Sequence, residues 1–489
     1  MATRWSRYTR RKTIEALRAE AEGSRLERRL SWWHLVALGV GAMIGAGIFT
    51  IVGRAVATTG PAVSLSYGLA GLACIFAALC YAELASSIPA AGSAYSYTYA
   101  TLGELAAWII AWNLVAEYMV GNIGVAIAWS NNLEVALSTI GIEIPTRLTA
   151  ATGTALTTAA GEPVTALFDL PAFLIVLAVT CVLAVGIRAS NATNLVLTSF
   201  KLGALFLFIA LGSMRADPAN WAPFAPGGAA GVFTGAAIVF FAFIGFDTVS
   251  AAAEEAKRPR RDLPIGIIGS LVLTALIYVV VSLVLAGMVP AGQVDQDAAL
   301  ARAFTSAGYG RPHVLLIAAG AVAATTSVLL VFQLGIARIL MHASRDGLIP
   351  PGLARIHPRF RTPARLTLLG GTLTALGAAT VPFGDAIDFT NLSTLFVFVV
   401  VSVAVLVLRR QAPRLERPFR VPAAPLVVGL AVLTLGALMA FIGPLIWLYF
   451  GVWTGLGLVV YALWGSTRSR LGAGGAPPPE MVLEIDEPR

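Results

Sequence analysis

The chain has 489 residues, of which 57% are hydrophobic and only 12% charged, with a formal net charge of +8. Charge this sparse cannot cover the surface of a soluble protein of that length, so the composition excludes a water-soluble globular enzyme and indicates an all-α polytopic membrane protein. The basic balance by itself suits a nucleic acid, but beside so much apolar sequence it reads as charge facing a lipid bilayer, and no nucleic-acid partner is expected.

A crossing takes about 20 apolar residues. Twelve segments meet that length, at 32–57, 61–88, 98–128, 169–188, 192–213, 231–254, 265–289, 312–342, 365–382, 387–408, 424–442 and 446–464. They define one transmembrane domain, 32–464, between a basic arm (1–31) and a tail (465–489) whose Pro477-Pro478-Pro479 run predicts disorder. The arm lacks the short apolar core and cleavage site of a signal peptide and reads as a cytoplasmic anchor beside anionic lipid. With both termini inside, 27 of the 34 basic residues fall in cytoplasmic segments and only Arg147, Arg215, Arg302 and Arg311 in outside loops. That asymmetry follows the positive-inside rule and predicts a multi-pass protein of the plasma membrane with cytoplasmic termini.

The first span carries Gly39-Val40-Gly41-Ala42-Met43-Ile44-Gly45-Ala46-Gly47-Ile48-Phe49. Four glycines in a membrane-deep run predict unwound backbone, which survives at that depth only where it lines a cavity. A second interruption, Phe240-Phe241-Ala242-Phe243-Ile244-Gly245-Phe246-Asp247, lies in the sixth span. Paired breaks in corresponding halves are the mark of a secondary transporter's substrate site. Spans 1–5 and 6–10 each open with a break, and because five is odd the second half is inverted. Spans 11 and 12 are additional.

Ionisable side chains inside a membrane cost roughly 2.5–3.5 kcal/mol each, so each needs a reason. Glu117, in the third span, is either a counter-ion for Lys201 or a basic substrate, or a protonated group in a helix–helix hydrogen bond. Lys201, in the fifth span, is one of only three lysines in an arginine-rich chain. A buried lysine can release its proton and an arginine cannot, so Lys201 is either the proton-coupling residue or a static brace between the fifth and first spans. Asp247 follows the second break and either holds a substrate amine, a cationic side chain or a proton, or caps the resumed helix.

Other chemistries lack their residues. Cys74, Cys80 and Cys181 have no framework or metal spacing, the four histidines are scattered, and no phosphate loop ending in Lys-Ser or Lys-Thr occurs. No cofactor and no metal are expected. A receptor that binds without transporting, an exchanger, and a channel are the competing readings. The last lacks a ring of charges.

The runs Gly39–Phe49, Tyr81-Ala82-Glu83-Leu84, Pro89-Ala90-Ala91-Gly92-Ser93-Ala94-Tyr95, Phe243–Asp247 with Pro259-Arg260-Arg261-Asp262-Leu263-Pro264, and Ser344-Arg345-Asp346-Gly347-Leu348-Ile349-Pro350 resemble the amino acid–polyamine–organocation superfamily. They are most similar to its bacterial cationic amino acid transporter-like branch. The resemblance implies a leucine-transporter-like fold of twelve helices, a 5+5 inverted repeat plus two, and proton-coupled amino acid uptake with a proton as co-substrate. It implies that amides around Ala46 and Gly47, after Ile44 and Gly45, meet the substrate carboxylate. Carbonyls near Ala42 and Met43, and around Phe241, Ala242 and Ile244, would take its ammonium. Phe241 matches an aromatic lid, and Lys201 a lysine standing where sodium-coupled relatives hold sodium. Two positions depart from the family: Ala46 replaces a common small hydroxylated residue, and Phe332 stands in the eighth span where relatives carry methionine facing the pocket. A rigid ring there leaves less room, which places small neutral amino acids such as alanine beside cationic ones as substrates. The sequence does not decide whether a small accessory membrane subunit binds the periphery.

Overall fold

The computed structural model describes residues 10–17, 29–90, 92–158, 161–186, 191–350, 352, 354–360 and 362–470. Most of the basic arm, Arg188 and the proline-rich tail from 471 lie outside the described residues. Within them the chain is almost entirely helical, as it must be where hydrocarbon offers the backbone no hydrogen bonds.

Eight helical segments among the described residues are long and apolar enough to cross a membrane: Ile51–Ser87, Glu104–Thr139, Val196–Ser213, Gly228–Ala251, Pro259–Met288, Arg311–Arg345, Phe383–Gln411 and Pro444–Arg468. Shorter apolar helices, Trp32–Met43, Leu170–Ala184 and Ala424–Ala440, occupy other expected spans. So does Ala364–Thr380. The polarity of the bundle is inverted relative to a soluble protein. Leu72, Leu276, Leu433 and Leu448 stand exposed on its flank, while Glu117, Asn122, Lys201 and Gln333 are buried inside. Apolar outside and polar inside is the arrangement a bilayer selects.

The expected third span, 98–128, differs from the observed one. Ser93–Thr101 is a separate helix, and after Gly103, at φ 96°, a 36-residue helix runs Glu104–Thr139. At 1.5 Å per residue it is about 54 Å long. Residues 129–132 lie past the expected end at 128, yet Ser130 and Asn132 are buried. Ser130 donates to Asp169 (2.7 Å) and Asn132 to the hydroxyl of Thr50 (3.0 Å). The loop that follows holds a short antiparallel hairpin, Ala155–Thr157 with Pro163–Thr165.

The described part of the arm, residues 10–17, has partners in the transmembrane domain. It docks on the bundle: Arg10 C=O accepts from Glu104 N (2.8 Å), Lys12 pairs with Asp346 (2.7 Å) and Leu17 is buried.

Both expected breaks are present and alike. Trp32–Met43 stops at Ile44, which is extended (φ −73°, ψ 103°), and helix resumes at Ala46–Phe49 and Ile51–Thr59. Gly228–Val239 tightens into a 3-10 turn, Phe240–Phe243, then Ile244 is extended (φ −63°, ψ 131°) and Thr248–Ala251 follows. Ala42, Ile44 and Gly45 of the first break recur as Ala242, Ile244 and Gly245 in the second, a residue-level repeat the sequence reading passed over.

Candidate functional site

The two breaks touch each other through backbone. A methyl group on Gly47 would lie 2.3 Å from Ala242 Cα, and one on Gly245 would lie 3.1 Å from the carbonyl carbon of Ala42. Gly245 also sits at φ 118°, a conformation side chains resist. Gly45 is closed off on another side, by Val328 of the Arg311–Arg345 helix, whose Cγ2 would stand 2.7 Å from an added methyl.

At the first break Ala46 and Gly47 are the first two residues of the resumed helix. Their N–H groups therefore have no carbonyl one turn earlier to bond, and the local dipole is positive there. Some carbonyls already have tenants. The Tyr278 hydroxyl sits 2.7 Å from Met43 O and 3.1 Å from Ala242 O, donating to either, and Tyr67 donates to Gly47 O (2.8 Å). Phe241 O accepts from Ile244 N (3.1 Å), closing the turn. Tyr67, Tyr278 and Phe243 pack their rings at 5.4–6.3 Å, forming a brace behind both breaks.

Of the phenylalanines at the second break, Phe240 meets Phe398 edge-on, Phe246 packs tilted against the same ring, and Phe243 joins the tyrosine brace. Phe241 has no ring partner among the described residues and is buried. That singles it out from its neighbours.

Lys201 is fully buried, and its ammonium donates to Gly41 O and to the Ser327 hydroxyl (the latter 3.0 Å). The Ser327 hydroxyl in turn donates to Ala324 O (2.8 Å). One side chain thus joins the Asn191–Ser213 helix to the first break and to the helix bearing Val328.

Glu117 makes no ion pair with Lys201 among the described residues. Both its carboxyl oxygens are buried, with the Thr394 hydroxyl of the Phe383–Gln411 helix as a polar neighbour. The Thr394 hydroxyl nearby is turned to Thr390 O (2.9 Å). Asp247 is an acidic neighbour of Glu117. Asp247 is 4% exposed and makes no side-chain capping bond, while its carbonyl accepts from Ser250 N (2.9 Å) and Oγ (2.6 Å). The carboxyl groups of Glu117 and Asp247 are close enough to feel each other electrostatically.

Phe332 is buried with its ring edge-on to Tyr118 (5.5 Å between centroids) and against Gly121. It stands one helical turn beyond Val328, on the same face. A residue of this helix that meets the first break is Val328, beside Gly45, and the sequence reading missed it. Tyr67, Tyr278 and Ser327 were missed too. A hydroxyl in mid-span is the one signal that marks them, since each needs a partner in a dry interior.

Ion pairs close the bundle at either end of the broken helices. Arg54, on the resumed first helix, holds Asp388 through two bonds of 3.0 and 2.8 Å. At the end bearing the arm, Lys12 and Tyr95 both reach Asp346. Glu83 and Glu104 are fully occupied nearby: Glu83 binds Arg409 and the amide of Val421 (2.7 Å), and Glu104 accepts from Tyr99, Tyr461 and Ser469.

The family model described as amino acid permease matches residues 30–462. The chain is 44% identical over 466 residues to the branched-chain amino acid permease BcaP of Bacillus subtilis (strain 168), covering 94% of this chain and 98% of that protein. It is 40% identical, over the same shares, to the methylthioribose transporter of that organism. To human cationic amino acid transporter 4 it is 38% identical over 394 residues, 79% of this chain and 60% of that one.

Proposed function

The chain belongs to the amino acid permease family, and we propose that it is a proton-coupled symporter that imports small neutral L-amino acids across the plasma membrane by alternating access. The observation that carries the reading is Lys201, a fully buried cation bonded to Gly41 O at the edge of the first break. The twelve-span plan, with spans 1–5 and 6–10 as inverted halves and both termini cytoplasmic, goes with this reading. It is supported by the matching breaks at Ile44-Gly45 and Ile244-Gly245 and by the arginine distribution.

In this mechanism the substrate carboxylate meets the amides of Ala46 and Gly47, where free donors and dipole favour an anion. Its ammonium meets carbonyls of Ala42, Ile44 and the Phe241–Ala242 turn, exchanging with the Tyr278 hydroxyl at Met43 and Ala242. Phe241 covers it. The side chain extends toward Val328 and Phe332, whose apolar surfaces favour a neutral aliphatic group over a guanidinium or ammonium. The similarity to a branched-chain amino acid permease supports the same choice. Lys201 binds and releases the coupled proton, and Glu117 with Asp247 offers a second place for one.

The test is uptake of labelled alanine, leucine and arginine into proteoliposomes with and without an inward proton gradient. Gradient-driven accumulation of alanine or leucine is expected. Uptake only into vesicles preloaded with amino acid would make the protein an exchanger. Binding without uptake would make it a receptor, and arginine as the preferred substrate would overturn the pocket assignment.

A further inference from the structure

Away from the breaks, a cleft of about 580 Å³ opens where the Pro259–Met288 helix begins. Its size falls in the range of small-molecule sites, about 300–1,000 Å³. Two arginines, Arg260 and Arg261, stand at its mouth, and the first turn of a helix adds positive potential there. Below them the walls turn apolar: Ile265 and Ile268 on the helix, Pro418 and Phe419 opposite. Arg260 reaches Glu416 (2.8 Å), tying the segment that carries Pro418 and Phe419 across the cleft. Both partners of that pair are more than half exposed. Arg261 is exposed as well.

The apolar floor does not end at the cleft. Ile265, Val272 and Leu276 are all exposed, and their spacing of seven and four residues puts them on one face of the helix. That stripe descends from the arginines along the flank where lipid lies, beside the Val63–Ser87 helix, whose Leu72 is exposed too. A cationic mouth above a continuous apolar track matches a ligand with one anionic head and a long hydrocarbon chain. We infer that this cleft binds an anionic phospholipid, with the head-group phosphate between Arg260 and Arg261 and one acyl chain laid along Ile265, Val272 and Leu276. The arginine-rich end of the bundle is the one expected on the cytoplasmic side, where anionic head groups attract basic clusters.

The test is native mass spectrometry of the purified protein titrated with phosphatidylglycerol and with phosphatidylcholine of the same chains. One phosphatidylglycerol is expected to be retained at least about fivefold more tightly than phosphatidylcholine, as for one surface arginine's worth of attraction. Arg261→Gln should remove most of that preference, and Ile268→Trp, which fills the cleft without changing charge, should weaken both lipids. Arg355→Gln, which removes an exposed arginine from a different connection, should leave both unchanged. Equal retention of the two lipids, an equal loss with Arg355→Gln, or indifference to Ile268→Trp would each overturn the site. Displacement of phosphatidylglycerol by inorganic phosphate alone would make it a free-phosphate site and overturn the lipid assignment. A melting temperature for each variant separates lost binding from lost fold.

Discussion

Gly47 and Ala242 meet backbone to backbone: the space a side chain on Gly47 would need is occupied by the Cα of Ala242, 2.3 Å from the missing methyl. The two broken helices are thereby one unit, and any ligand bound at the first break is also next to the second. Gly47→Ala should therefore abolish transport and lower the melting temperature, since backbone cannot step aside as a flexible side chain does. Gly68→Ala, at a helical position with nothing within 4 Å, is the matched control and should melt like wild type or slightly higher. Thermal melts of the two variants, with uptake, check this.

Tyr278→Phe removes the hydroxyl shared by Met43 O and Ala242 O and leaves buried carbonyls without a donor, a loss of about 1–3 kcal/mol. Substrate then competes with nothing at those carbonyls. Apparent affinity should rise or hold while turnover falls, because the empty site has lost the group that fills its place. Rates and half-saturation concentrations measured separately will show the split. A uniform loss of both would mean that Tyr278 acts only as a brace.

Lys201 separates two roles when replaced by alanine and by arginine. If its proton is the coupled one, Lys201→Arg keeps the bonds to Gly41 and Ser327 yet cannot cycle, so exchange persists while gradient-driven accumulation is lost. Lys201→Ala should abolish accumulation and spare some binding. Accumulation at wild-type level in the arginine variant would reduce Lys201 to a fixed link between helices.

Phe332→Ser opens space beside Tyr118 and Gly121, one turn from Val328. Competition by amino acids with longer or cationic side chains should strengthen by about tenfold, roughly 1.4 kcal/mol. Unchanged competition would place the side-chain pocket elsewhere, with Val328→Ala as the next variant to compare.

Arg54 and Asp388 are half-buried and doubly bonded, with 27% and 21% of their side chains exposed. The pair links the resumed first helix to Phe383–Gln411, so those helices cannot separate while it holds. Arg54→Gln should raise accessibility of a cysteine placed near Gly45 to a membrane-impermeant thiol reagent. Unaltered labelling would mean that the pair is ornamental to opening.

The sequence by itself determined the membrane class, the family, the positions of both breaks and the singularity of Lys201. Each rests on a local, one-dimensional signal: apolar length, glycines within it, or a charge where solvation is costly. Only the tertiary structure decided what those elements touch. No spacing in the chain announces that Gly47 meets Ala242, that Tyr278 bridges both breaks, or that Glu117 neighbours Asp247. Ser130 and Asn132 lie past the end of the expected third span yet are buried, because a polar residue inside a bundle and one in a loop have the same composition. Their partners, Asp169 and Thr50, are distant in sequence and near only after packing. Pairing of polar groups in a dry interior is set by which helix faces meet, and that geometry belongs to the folded bundle.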